Sequence, residues 1–111
     1  MKVTLPIKTI SVMNAREHYM TKARRTKLHR STAFTMLKAG GKPPTLPVTI
    51  TMTRIGAGTL DDDNLASACK AAQDGIADWL GIDDGNPGIT WVRAQEKSKR
   101  GVYGLVVEVA A

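Results

Sequence analysis

The chain predicts an α+β domain, a small mixed sheet of about four strands with two helices in the order β-α-β-α-β-β. Three observations predict it. Val48-Thr-Ile-Thr-Met-Thr-Arg-Ile55 alternates strictly and is rich in β-branched residues, the pattern of a half-buried strand. Leu65, Ala68, Cys69, Ala72, Ile76, Trp79 and Leu80 recur at three- and four-residue steps, which places them on one face of a helix. Turn-forming clusters punctuate the remaining short apolar runs, within 111 residues that suffice for one core.

The elements follow in order. Lys2–Ile7 reads as a short strand, ended by Pro6 and a Thr/Ser stretch. Asn14-Ala-Arg-Glu17 reads as a capping box, in which the Asn side chain accepts from first-turn N–H groups and Glu17 reaches back. A helix runs from it to about Ala39, stopped by Gly40-Gly41. Its apolar stripe is poor between residues 22 and 30, so that stretch faces solvent, binds a ligand or is broken. Pro43-Pro44 and Pro47 mark the connection to the strand at 48–55, and Gly56-Ala-Gly58-Thr is a flexible turn out of it. The second helix follows the aspartates, with Asp63, Ser67, Lys70 and Asp74 opposite the apolar face, and Gly81 ends it. Asp83-Asp-Gly-Asn-Pro-Gly88 is a dense turn cluster. Ile89–Glu96 and Gly101–Ala110 then read as a strand pair joined by the basic turn Lys97-Ser-Lys-Arg100.

Composition narrows the function classes. With 42% hydrophobic and 23% charged residues, the chain is globular rather than disordered. No apolar run approaches the roughly 20 residues of a membrane span, and the N-terminus has no continuous apolar signal region, so a cytoplasmic protein without a membrane partner is expected. Cys69 is the one cysteine, which excludes an intramolecular disulfide; it lies on the apolar face and reads as core. One Cys with His18 and His29 does not make a usual zinc site.

The net charge of +6 is unevenly spread: residues 1–55 hold 11 Lys/Arg and one acid (+10), and residues 56–111 hold 5 and 9 (−4). Lys22, Arg24, Arg25, Lys27 and Arg30 put five cations in nine residues without an acid, a density that suits a phosphate backbone through counterion release. With the turn cations Lys97, Lys99 and Arg100, they are the candidate contacts to a nucleic-acid backbone. Aromatics are few, so a base-stacking platform is weakly supported.

The chemistry lies in the carboxylates. Asp61-Asp62-Asp63-Asn64 sits where a strand and a glycine turn hand over to a helix, and Asp83 and Asp84 sit past that helix. Crowded carboxylates repel, and a bound divalent cation removes that repulsion; oxygen-only ligands favour Mg²⁺ or Mn²⁺. The helix between the clusters is about 27 Å long, so they meet only if the chain bends back. Each cluster also has a plain structural reading, as a helix cap with favourable dipole charges or as a turn. An EF-hand fails, because Ala66 and Ala72 stand where glycine and glutamate are needed.

Leu60-Asp-Asp-Asp-Asn-Leu65, then Lys70 and Asp74, then Gly81-Ile-Asp-Asp84, resembles the RusA-like family of Holliday junction resolvases. The motif match covers about residues 60–84, while the order of elements agrees over nearly the whole chain. The resemblance implies a small homodimeric, Mg²⁺-dependent endodeoxyribonuclease (Mn²⁺ possible) that resolves four-way DNA junctions, and so makes the cations of 22–30 and 97–100 DNA-binding residues. Carried over by position, it implies catalytic roles for Asp61, Asp63, Asp84 and Lys70, and metal ligation by Asp61, Asp63 and Asp84 with Asp83. In the family's pattern the lysine comes three residues after the Asn; here it comes six after, one near-complete turn further along the same face. Asp74, four residues beyond Lys70, suits a salt bridge to it. Other readings stay open: a non-catalytic DNA-binding protein, a metal-dependent nuclease of broader substrate range, or a protein-interaction module.

Overall fold

The computed structural model describes residues 1–10 and 19–111, and the capping box expected at 14–17 lies outside the described residues, as does His18. The elements are β1 (Lys2–Leu5), α1 (Tyr19–Gly40), β2 (Val48–Gly56), α2 (Asp62–Leu80), β3 (Ile89–Lys97) and β4 (Gly104–Ala110). They form an α+β fold in which the sheet order is β1-β4-β2-β3.

One expectation is corrected. β3 and β4 are not paired with each other but flank β2 on opposite sides. β3 runs parallel to β2, from Val48 opposite Ile89 to Gly56 opposite Lys97. β4 lies antiparallel to both β2 and β1. The segment between them crosses the end of β2, where the Ser98 N–H donates to the Gly56 carbonyl at 2.8 Å. Burial explains the arrangement. Gly104–Val107 are four consecutive buried residues, as a central strand requires, whereas β3 exposes Thr90, Val92, Arg93, Glu96 and Lys97, as an edge strand does.

Strand alternation sends one set of side chains to the helices: Val3 and Leu5, Leu105, Val107 and Val109, Val48, Ile50 and Met52, and Ile89 and Trp91. Leu65, Cys69, Ala72, Ile76 and Trp79 of α2 meet them, joined by Ala33 and Leu37 of α1. Burial pushes the Cys69 thiol up to about 11, so it packs as a neutral hydrophobe. Further along the inner face of β2 and β3 the residues turn polar: Arg54, Arg93 and Gln95 continue the rows begun by Ile50 and Trp91.

The helix α1 is continuous through its polar stretch. Of residues 22–30 only His29 is buried; it begins a four-residue series with Ala33 and Leu37 that faces the core. The two helices approach closely at Gly75, where a Cβ would stand 2.2 Å from the Arg30 carbonyl oxygen and 2.9 Å from Ala33 Cβ. Beside this crossing Arg30 donates from Nε and Nη2 to Asp78 at 2.7 and 2.9 Å. Asp61 caps the start of α2, and Gly81 ends it in the left-handed region (φ 74°), its N–H donating to the Ala77 and Asp78 carbonyls. No described helix is long and apolar enough to cross a membrane.

Candidate nucleic-acid and metal site

The Asp61–Asn64 run is exposed up to Asp63, and the helix begins inside it: Asp61 is the N-cap, while Asp62 and Asp63 are in the first turn. One oxygen of Asp61, Oδ1, accepts from both the backbone N–H and the Nδ2 of Asn64, each at 2.9 Å. Asn64 therefore orients the Asp61 carboxylate twice over. The loop leading in is fastened from β3. Gln95 accepts from the Leu60 N–H at 2.8 Å and donates to the Leu60 carbonyl at 2.7 Å. This clamp was missed in the sequence, although the alternation Ile89, Trp91, Arg93, Gln95 places a polar pair in line with core residues.

Beyond Gly81 the chain does bend back along α2, but only part of the way. Asp84 reaches Lys70, whose Nζ lies 2.5 Å from Asp84 Oδ2 and 3.0 Å from Asp74 Oδ1. Gln73, itself buried, donates to the same Asp84 oxygen at 3.1 Å and accepts from Arg93 at 2.7 Å. Trp91 Nε1 donates to the Asp84 carbonyl at 2.8 Å, so Asp84 is held at both backbone and side chain. The Lys70 ammonium beside it draws the Asp84 carboxyl below its ordinary range, with Gln73 adding to the effect. The Lys70 ammonium is raised in turn, by Asp84 first and Asp74 second.

The expected four-carboxylate set is thus not assembled. Asp61 and Asp63 stand at the start of α2. Asp84 instead contacts the side chains of Lys70 and Gln73, residues whose backbone lies about 10 and 15 Å further along the helix axis than that of Asp63. Asp83 lines a small acidic cleft of about 150 Å³ with Asp74, Asp78, Asp84 and Arg30. Among the described residues no group of three or more His, Cys, Asp or Glu is placed to hold a metal ion. Sharing a cleft does not make these carboxylates a metal site, because ligation demands convergent oxygens. The donor set still fits a more open site. Mg²⁺ is commonly bound by one or two carboxylates together with substrate phosphates and water, and Asp61 and Asp63 are exposed oxygen donors of that kind.

The cations divide into groups. Lys22 and Arg25 of α1 line a cleft of about 260 Å³ with Ser67 and Lys70 of α2, with His29 and Asp74 in its wall. It joins the basic stretch of α1 to the polar face of α2, the face that carries Asp63. Burial lowers the pKa of His29, and the neighbouring Arg25 lowers it further, so His29 favours its neutral form. Arg24 and Lys27 are exposed on α1, whereas Arg30 is committed to Asp78. Lys97 ends β3 and Lys99 and Arg100 follow it, all three exposed, and Arg100 lines a separate cleft with Lys8 and Arg54. Lys8 and Arg54 were not singled out in the sequence, because they are isolated there from other cations.

The chain matches no protein-family model, and no curated protein matches it.

Proposed function

We propose that the protein is a Mg²⁺-dependent endodeoxyribonuclease acting on branched DNA, with the four-way junction as its substrate. The observation that carries this reading is the α1–α2 cleft, where Lys22, Arg25 and Lys70 converge on the helix face that also bears Asp63. A phosphodiester lying in that cleft would meet cations from two helices and, one or two turns away, exposed carboxylates. Asp61, oriented by Asn64, and Asp63 would hold the metal ion with substrate phosphate oxygens. That ion would supply Lewis-acid polarisation and a more acidic attacking water. Lys70 would stabilise negative charge on the phosphoryl group in the transition state. Asp84 and Asp74 keep its ammonium charged and in place, which makes Asp84 a positioning residue in this scheme. Arg24 and Lys27 would grip flanking phosphates, which fixes orientation without reading sequence. A two-fold homodimer would present two such sites to a junction of matching symmetry.

A second reading is favoured by one feature. Asp61 caps α2 and Asp84 pairs with Lys70, so each acidic motif has a structural role, as in a DNA-binding protein without cleavage chemistry.

Cleavage of a labelled four-way junction, with and without Mg²⁺ and against linear duplex and flap controls, separates the two. Paired nicks confined to the junction, Mg²⁺-dependent and lost in Asp63→Asn while binding persists, are expected. Tight binding without product in Mg²⁺ or Mn²⁺ would establish the second reading instead.

A further inference from the structure

We propose that the cleft at the end of β2, between the β1 exit and the 98–103 crossover, is a second phosphate site that holds a backbone phosphodiester of a DNA strand. Lys8, Arg54 and Arg100 line it, with Thr9, Gly56 and Tyr103; its volume is about 240 Å³, and none of its lining residues is acidic. Three cations without a carboxylate in one concavity focus positive potential there.

The site is built rather than merely charged. Arg54 is half-buried, and its guanidinium is fixed by donation from Nη1 to the Gly58 carbonyl at 2.8 Å and from Nε to the Thr9 carbonyl at 3.4 Å. It lies flat against Gly56, where a Cβ would stand 2.9 Å from Cζ and from both terminal nitrogens. Glycine at 56 therefore leaves the room that the guanidinium occupies. Thr9 supplies a second, independent sign of a ligand. It is 3% exposed, and its Oγ1 has no hydrogen-bond partner among the described residues. Buried hydroxyls are nearly always satisfied; this one has no accessible surface of its own, and a turn of the Thr9 side chain toward the cleft would let it donate to a phosphate oxygen there. Arginine's planar fork is suited to the same oxyanion. Lys8 and Arg100 are exposed at the rim and free to close on a strand by their length.

The site lies apart from the α1–α2 cleft and shares no lining residue with it. It would hold the strand at a second point, so that one phosphate is anchored while another is presented to Lys70. The inference rests on the polyanionic substrate of the proposed function but not on its chemistry.

The test is binding of a fluorescent four-way junction by anisotropy in EDTA, across about 50 to 200 mM salt. Arg100→Gln and Lys8→Gln change exposed rim residues; Gly56→Ala displaces the Arg54 guanidinium. Each rim variant is expected to weaken binding and reduce the slope of log K against log salt by about one. Gly56→Ala is expected to weaken binding while the far-ultraviolet spectrum is retained. Amide shifts on titration with inorganic phosphate are expected at Thr9, Gly56–Gly58 and Arg100. Junction binding with unchanged slopes in both rim variants would overturn the proposal and leave the nuclease reading intact. Phosphate shifts at the cleft with unchanged slopes would do the same, marking a site for free phosphate only. Absence of junction cleavage by the native protein in Mg²⁺ or Mn²⁺, with the slope change present in the rim variants, would sink the nuclease reading and keep this site.

Discussion

The ammonium of Lys70 and the carboxylate of Asp84 meet at 2.5 Å across fourteen residues of chain. That contact folds the acidic turn back onto α2 and decides what Asp84 does. An aspartate that neutralises a lysine and accepts from Gln73 is an anchor, and it fixes the lysine at the wall of the cleft where α1 presents its cations. The direction in which Lys70 points is also instructive. A lysine on a helix leans toward the N-terminus by default. Here both carboxylates that hold it, Asp74 and Asp84, lie C-terminal to it in the chain.

The pairing makes a prediction in pH. Asp84 is depressed, so its contribution is complete above the ordinary carboxyl value of 3.8 and is lost as pH falls through its lower folded value. Lys70 is raised, so its contribution is complete below 10.5 and is lost only as pH rises through the higher folded value. The pair is therefore intact throughout the neutral range. In Lys70→Met the Asp84 carboxyl is expected to titrate closer to 3.8, read by carbon-13 NMR of the side chain, and cleavage is expected to fall by about 10²–10³-fold. An unmoved Asp84 titration would mean that the ion pair does not form in solution.

Gly75 sets the distance between the helices. An alanine in a helix interior is normally favoured over glycine by about 1 kcal/mol. At position 75 its methyl would meet the Arg30 carbonyl, so the helices must separate and the sign reverses. Gly75→Ala is expected to destabilise the protein by about 1–3 kcal/mol in urea unfolding. An unchanged or raised midpoint would contradict the close crossing.

His29 makes stability sensitive to mild acid. It is buried, and Lys22, Arg25 and Lys70 line the same cleft, with Asp74 the one opposing charge there. Its folded pKa lies below 6.5 through burial first and Arg25 second. The unfolded chain thus binds the proton more readily, so stability is complete above about 6.5 and declines as pH falls below it. Urea midpoints are expected to drop between neutral pH and about pH 5.5 in the native protein and to change less in His29→Gln. Equal pH slopes for the two would remove His29 from this role.

Gln95 holds the entry to the acidic run from a neighbouring element. Gln95→Ala removes two hydrogen bonds to Leu60 and is expected to cost about 1–3 kcal/mol of stability. Under the proposed function it would also reduce cleavage more than DNA binding, since it loosens the backbone one residue before Asp61. Cleavage and binding falling in parallel would assign Gln95 to folding alone.

Much of this protein was legible in the order of its residues. Strict alternation at 48–55 and the three-and-four spacing from Leu65 to Leu80 are local periodicities, and they determined β2, α2 and the side of α2 that is buried. Gly81 ends the helix as a residue able to adopt positive φ would, and the Lys70–Asp74 pair follows from helical spacing. The tertiary structure alone decided the rest. Strand order depends on which edges bury the most apolar surface, and so the β3–β4 pair suggested by adjacency gives way to β4 inserted between β1 and β2. How far the chain returns after Gly81 depends on where an unpaired carboxylate finds its cation. Asp84 therefore stops at Lys70 rather than joining Asp61 and Asp63. Lys8, Arg54 and Arg100 are scattered in sequence and share a cleft only because the β1 exit, the end of β2 and the crossover converge there. Sequence spacing records contacts within an element; contacts between elements are selected by burial and by charge pairing, and those appear only when the chain has folded.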